Sequence, residues 1–291
     1  MTRLVPAALG ALAALGVLFL CLPVGLLLVR AALDAPVREA LGSGAVLDAL
    51  VLSLVTSGIA LLVTLVAGTP LAWILARRRF RGRRLVETLL DLPVVLPPAV
   101  AGIALLLVFG RGGLLGPLLA SAGIVVPFTT AAVVLAQTFV AGPFYVRAAR
   151  AGFAAVDREV EDAARADGAG GWEVFRHVTA PLAEGALAGG LVMTWARAVG
   201  EFGATIMFAG SIEGRTRTLP VEVYAGFASG IERSIAAAAI LVVAALGVLL
   251  AVRAFRWRPA LDARALGQDP GLARPRDRGA AAEYDRPAPG E

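Results

Sequence analysis

A chain of 291 residues that is 58% hydrophobic, only 17% charged and of mean hydropathy +0.78 is too apolar for an ordinary soluble domain. Its net charge of +5 rests entirely on arginine, and the arginines gather at the ends of apolar runs with no aromatic interleaving; this pattern excludes nucleic acid and makes a lipid bilayer the partner. With one cysteine, Cys21, and one histidine, His177, neither an intrachain disulfide nor a cysteine metal cluster can form.

The first apolar run, Leu4 to Val29, carries no charge and exceeds the roughly 20 residues that a helix needs to cross a bilayer core. It follows Arg3 as a signal sequence would, but its apolar core is too long for a cleaved one, so a retained helix is expected. Residues 30–48 read as a polar connection containing Pro36, Gly42 and Gly44, which makes 1–47 an N-terminal transmembrane helix with an extracytoplasmic connection. A second span, Ala49 to Ala76, ends in six arginines within the eight residues Arg77 to Arg84, the signature of a cytoplasmic anchor.

The third run, Leu89 to Gly110, contains Asp91, Pro93, Pro97 and Pro98, and proline removes a helical hydrogen bond and clashes with the preceding turn. A kinked or broken helix is expected here. Irregular backbone at membrane depth is tolerated where it is buried in protein or lines a wet cavity, so Pro97 and Pro98 are either part of a pathway wall or simple packing kinks. A fourth span over 128–146 is expected to be interrupted at Gly142 and Pro143.

The segment 157–181, DREVEDAARADGAGGWEVFRHVTAP, is highly charged yet lies between long apolar runs. Asp157 is placed to cap one short helix, Gly168 with Gly170 and Gly171 breaks it, and Trp172 to Val178 begins a second ahead of Pro181. Ala163 and Ala164 would let another surface approach closely, and Gly168 permits a turn that other residues resist. Trp172, Phe175 and Val178 recur at i, i+3 and i+6 as an apolar stripe, which either docks a partner or packs under the chain's own helices.

In the fifth span, 185–209, Arg197 and Glu201 stand four residues apart on one helical face and can pair. Each alone would cost roughly 2.5 to 3.5 kcal/mol at the bilayer centre, so they face partners or water. Two roles remain open: shaping a pathway, or fixing helix packing as a structural ion pair. A sixth span, 234–252, precedes a charged tail, 254–291, rich in Pro, Gly and Ala and expected to be disordered on the cytoplasmic side. With both termini inside, twenty of the 27 basic residues fall on the side of segment 157–181 and six on the other, which places that segment in the cytoplasm.

No phosphate-binding loop of the G-x-x-x-x-G-K-[ST] type occurs and there is no lysine to serve one. Neither a nucleophile, histidine and acid set nor a metal-ligand cluster is present, so the chain is expected to hold no catalytic residue, metal or cofactor.

The spacing of Glu161, Ala163, Ala164, Gly168, Val178 and Pro181 resembles the Glu-x-Ala-Ala loop of ABC-transporter permease subunits. Ala180 stands where that family usually has leucine, and Asp167 where an apolar residue is common. The segment Trp195 to Pro220, WARAVGEFGATIMFAGSIEGRTRTLP, and the segment Leu92 to Gly102, LPVVLPPAVAG, are similar to the fifth- and third-helix regions of the molybdate, sulfate and tungstate permease group, molybdate permeases above all. The resemblance covers about residues 48–253. It implies an all-α fold of six transmembrane helices, the type I importer permease fold, with its core over 48–253, working as a homodimer with two cytoplasmic ABC ATPase subunits that use the ATP, and an extracytoplasmic oxyanion-binding protein. The loop 157–181 would then be the ATPase-coupling element, with Glu161, Ala163, Ala164, Gly168, Trp172, Phe175, Val178 and Pro181 as its contact residues, in a bacterial inner membrane. A secondary transporter or channel is the main rival, and it would often carry internal repeats, of which none is convincing here. A membrane enzyme would need a dense polar constellation at one interface, which the sequence lacks.

Overall fold

The computed structural model describes the backbone from Leu4 to Ala265, and among these residues it contains helices and turns only. The long apolar runs become α1 (Leu4–Leu33), α3 (Gly44–Arg77), α7 (Thr130–Ala155) and α14 (Ile231–Ala265). Each contains a stretch long and apolar enough to cross a membrane. The bent pair α4 (Arg83–Val95) and α5 (Pro98–Phe109), whose axes turn by 119° at the break, passes the same test of length and apolarity only when the two are taken together, as a broken span or a re-entrant loop. The fifth apolar run of the sequence is divided between α11 (Glu184–Val199) and α12 (Gly203–Phe208), neither of which is long enough to span alone. Shorter helices complete the order: α2 (Ala35–Leu41), α6 (Gly116–Ser121), α8 (Arg158–Ala166), α9 (Gly171–Val174), α10 (Ala180–Leu182) and α13 (Leu219–Ser229).

Several sequence expectations change. The connection over 30–48 is largely helical: α1 runs to Leu33, α2 follows with its proline in the first turn, and α3 begins at Gly44. Proline at a helix start lacks only an N–H that would have no intrahelical partner anyway. The interruption expected at Gly142 and Pro143 is absent, because both residues are buried inside the continuous helix α7. The fifth run, by contrast, breaks at residues 200–202. Finally, α14 continues to Ala265, so the first residues of the expected tail are helical, and 266–291 lie outside the described residues. The chain divides into a compact unit through Val248 and a short C-terminal unit from Leu249.

Helix α7 is the central column, packing against α3, α11, α12, α5 and α4. Lipid tails are as apolar as leucine, so burial alone does not drive transmembrane helices together, and close approach of small residues does. The sequence supplies these at the right places. A side chain on Gly190 of α11 would come 2.8 Å from the Ala148 Cβ, and one on Gly152 would come 2.5 Å from the Ala186 Cβ. Gly68 of α3 lies flat against the ring of buried Tyr145, whose hydroxyl is 2.6 Å from that of Thr69. At one end, α4 is tied to α7 by charge: Arg147 Nε donates to Asp91 at 2.5 Å, and Arg150 donates to Glu87. Asp91, a carboxylate in an otherwise apolar run, is thereby compensated.

Candidate functional site

The segment 157–181 folds into a compact elbow whose local rules are those read in the sequence. Asp157 caps α8 by accepting the Glu159 N–H at 3.0 Å, and Glu159 and Glu161 place negative charge on the positive end of the helix dipole. The helix stops where Gly168 takes φ = +95°, a left-handed conformation that costs an L-residue about 1 to 2 kcal/mol. Gly170 then starts α9, its N–H bonded to Glu173 Oε2 at 2.7 Å. The second helix differs from expectation. It leaves α-geometry after Val174, forms a π-turn over Phe175–Thr179 and re-enters as α10, so Pro181 sits inside a helical turn and does not end one.

The widened turn carries Thr179 to the centre of the elbow. Its buried hydroxyl donates to Glu161 Oε1 at 2.7 Å, and the same oxygen receives Arg77 Nη2 from the end of α3, also at 2.7 Å. Arg77 Nη2 additionally reaches the Val156 carbonyl at 3.1 Å, at the end of α7. Arg165, one turn on, contributes a looser ion pair to Glu161 Oε2 at 3.6 Å. Glu161 is only 4% exposed. Its carboxylate therefore faces inward and binds together the ends of α3 and α7, helix α8 and the π-turn.

The remaining loop residues divide between faces. Ala163, Gly168, Trp172 and Pro181 are exposed, while Ala164, Phe175 and Val178 are half-buried. The expected stripe is split. Trp172 is 69% exposed and stacks on Phe175 with centroids 5.5 Å apart, whereas Phe175 meets buried Phe153 of α7 edge-on at 5.8 Å. Val174, which the i, i+3, i+6 spacing passes over, is the buried residue. Sequence reasoning also missed Arg77 and Thr179. Arg77 opens the arginine run at the end of α3, which flagged a membrane boundary but not its buried partner, and Thr179 gave no signal.

From this elbow α11 runs to the second candidate region. Sixteen residues at 1.5 Å rise make a rod of about 24 Å. It ends at Gly200, and Glu201 occupies the break that follows. Glu201 is 1% exposed, and its Oε1 accepts the Ala204 N–H at 2.8 Å, capping α12. Arg197 Nη2 lies 2.6 Å from Glu201 Oε2, an ion pair whose angle leaves that oxygen without a hydrogen-bond donor. The Arg197 side chain keeps 30% of its surface open.

Across from this break lies the other one. Pro97 caps α5 and Pro98 is its first residue, both exposed. A side chain at Gly203 would come 2.5 Å from the Pro98 Cβ, and one at Gly102 would come 2.6 Å from the Met207 Cβ. The structure thus brings Pro98 together with the segment that begins at Glu201. The elbow is separate from this pair, linked to it by α11. Among the described residues no cluster of three or more His, Cys, Asp or Glu side chains could hold a metal ion.

Comparison with known proteins gives a consistent result. A family model described as "Binding-protein-dependent transport system inner membrane component" matches residues 68–261. The molybdenum transport system permease protein ModB of Mycobacterium tuberculosis is 44% identical over 206 residues, 71% of this chain and 78% of that protein. The sulfate transport system permease protein CysW of Escherichia coli is 38% identical over 229 residues, 77% of each. Among solved structures, a bacterial ABC transporter involved in the import of the acidic polysaccharide alginate superposes with a TM-score of 0.69 over 88% of this chain and 96% of that one. It is 18% identical, a likeness of fold.

Proposed function

The chain belongs to the family of binding-protein-dependent transport system inner membrane components, and from that premise we propose that it moves an oxyanion, molybdate above its chemical relatives, into the cytoplasm. The 44% identity to a molybdenum permease supports the cargo. In this reading two copies form the pore, an extracytoplasmic binding protein delivers the anion, and two separate ABC ATPase subunits bind and hydrolyse the ATP. Both termini lie in the cytoplasm, with the elbow 157–181 as the surface that meets the ATPases.

One observation carries the mechanism: a continuous covalent and packed path joins the elbow to the paired breaks. Glu161 and its partners make the elbow one body with the ends of α3 and α7, α10 leads directly into α11, and α11 ends at Glu201. A push on the exposed face around Ala163, Gly168 and Trp172 therefore reaches α12, and through Gly203 and Pro98 it reaches α5. Arg197 supplies a partly open positive charge near the break, and Glu201 holds the short helix in place. Pro97 and Pro98 give the pathway its irregular wall.

Sulfate or thiosulfate is the second reading of the cargo, favoured by the 38% identity to a sulfate permease; tungstate, the same size and charge class as molybdate, is grouped with the first. The test is uptake of labelled molybdate by proteoliposomes holding this chain, its ATPase and its binding protein, with unlabelled sulfate, thiosulfate and tungstate as competitors. Uptake that needs ATP, and that tungstate but not sulfate suppresses, supports the proposal. Uptake by the chain alone, driven by an ion gradient, overturns it.

A further inference from the structure

Beside the elbow, on the side turned toward α3, two cavities adjoin to which the transport reading assigns no occupant. The larger, about 450 Å³, is an apolar groove lined by Leu65, Val66, Pro70 and Trp73 of α3 and by Trp172 and Phe175. The smaller, about 200 Å³, is polar and lined by Trp73, Arg77, Arg158, Glu161, Asp162 and Arg165. Trp73 forms a wall of both, so they make one bipartite site. It lies at the last turns of α3, where the apolar stretch gives way to the arginine run, and tryptophan at that depth marks the membrane interface.

The charges in the polar half are unequally engaged. Glu161 is taken by Arg77 and Thr179, and Asp162 by Arg165. Arg158 has no acidic partner among the described residues; its one contact is a long bond of 3.4 Å to the Arg77 carbonyl. Arg77 is more revealing. Its side chain is only 9% exposed, and while Nη2 is fully used, the buried Nε–H has no acceptor. A buried donor of this kind ordinarily has a partner. Arg77 also lines the polar cavity, where Arg158 stands without an acidic partner among the described residues.

We propose that this bipartite site holds one anionic phospholipid, its acyl chain in the groove of α3 and Trp172 and its phosphate on Arg158 in the polar cavity that Arg77 also lines. The chemistry on each side selects that occupant. An apolar groove at the membrane edge takes hydrocarbon, and arginine beside it prefers a phosphate whose charge is not cancelled within the same headgroup. Because Trp172 and Phe175 belong to the elbow, the lipid rests against the coupling element itself.

The experiment is native mass spectrometry of the full chain in detergent, titrated with phosphatidylglycerol or phosphatidylcholine of the same acyl chains. The wild type retains one tightly held lipid with a preference for phosphatidylglycerol. Val66→Trp, a change at an exposed groove position, fills the groove and loses retention of both lipids. Arg158→Gln keeps the acyl site and loses the headgroup preference by about fivefold, the worth of one arginine near an anionic surface. Helical content and elution volume establish that both variants are folded. Equal retention of the two lipids by the wild type, or unchanged retention by Val66→Trp, overturns the proposal. So does a groove filled by a second copy of the chain, seen as a Val66→Trp change in oligomeric state with lipid retention intact.

Discussion

Thr179→Val is the sharpest probe of the elbow, because the two side chains are nearly the same size and the change replaces a hydroxyl with a methyl. In the structure that hydroxyl donates at 2.7 Å to a carboxylate that is 4% exposed and shared with Arg77. A hydrogen bond to a buried charged group contributes about 1.5 to 3 kcal/mol, and each 1.4 kcal/mol is a factor of ten. Opening of α8 should therefore become roughly 10 to 100 times more frequent. The assay is hydrogen exchange of the amides that close α8, such as Asp167 N–H bonded to Ala163 O, on the full chain in detergent. In a Glu161→Ala background the same substitution should accelerate exchange less than about threefold, because Thr179 is then left with only the 3.5 Å contact to the Val174 carbonyl. Equal acceleration in both backgrounds would refute the claim that Glu161 holds the elbow through Thr179.

Replacing Gly168, at φ = +95°, with leucine should cost about 1 to 2 kcal/mol locally and uncouple ATP hydrolysis from uptake in membrane vesicles; normal coupled transport would remove the turn from the mechanism. Gly203→Ala sets a new Cβ 2.5 Å from that of Pro98, an overpacking of about 1 to 3 kcal/mol that should lower the thermal midpoint in detergent. Gly189→Ala, inside α11 at a position with open space, should instead keep or slightly raise that midpoint. Loss of the Asp157 cap by substitution with alanine should cost about 0.5 to 2 kcal/mol, read as faster exchange confined to the first turn of α8.

What the sequence made legible follows from how local each cause is. The break between α4 and α5 was readable because Pro97 and Pro98 enforce it within the segment itself, and the cap at Asp157 and turn at Gly168 are equally local. Gly142 and Pro143 signalled a break that does not form. Both are buried in α7, and the surrounding column of α3 and α11 holds the helix continuous through the missing hydrogen bond. The interruption at 200–202 had the opposite problem. No proline marks it, and the charged Glu201 looked like a side chain on a helix face when it is the cap of the next helix. Glu161 was legible as a member of a spaced motif, yet its inward orientation was not. Its partner Arg77 is 84 residues away and was already explained by the membrane boundary.

The two breaks also explain each other. A helix interrupted at membrane depth leaves backbone groups without partners, which is costly unless protein satisfies them. At the second break the cost is met by Glu201, whose Oε1 takes the Ala204 N–H. At the first, the Pro97 carbonyl accepts both the Val100 and Ala101 N–H groups, while proline itself brings no donor. Satisfied ends alone would leave two stubs, but Gly203 seats against Pro98, and Gly102 seats against Ala204 and Met207, too closely for any side chain at either glycine. Helices α5 and α12 are thus interlocked by reciprocal glycines, each joined to its preceding helix by a break. In the proposed transport cycle a displacement of α11 that carries α12 would carry α5 with it, the second break and the first serving as two joints of one piece, and a substitution that separates the pair should weaken transport even where the elbow is untouched.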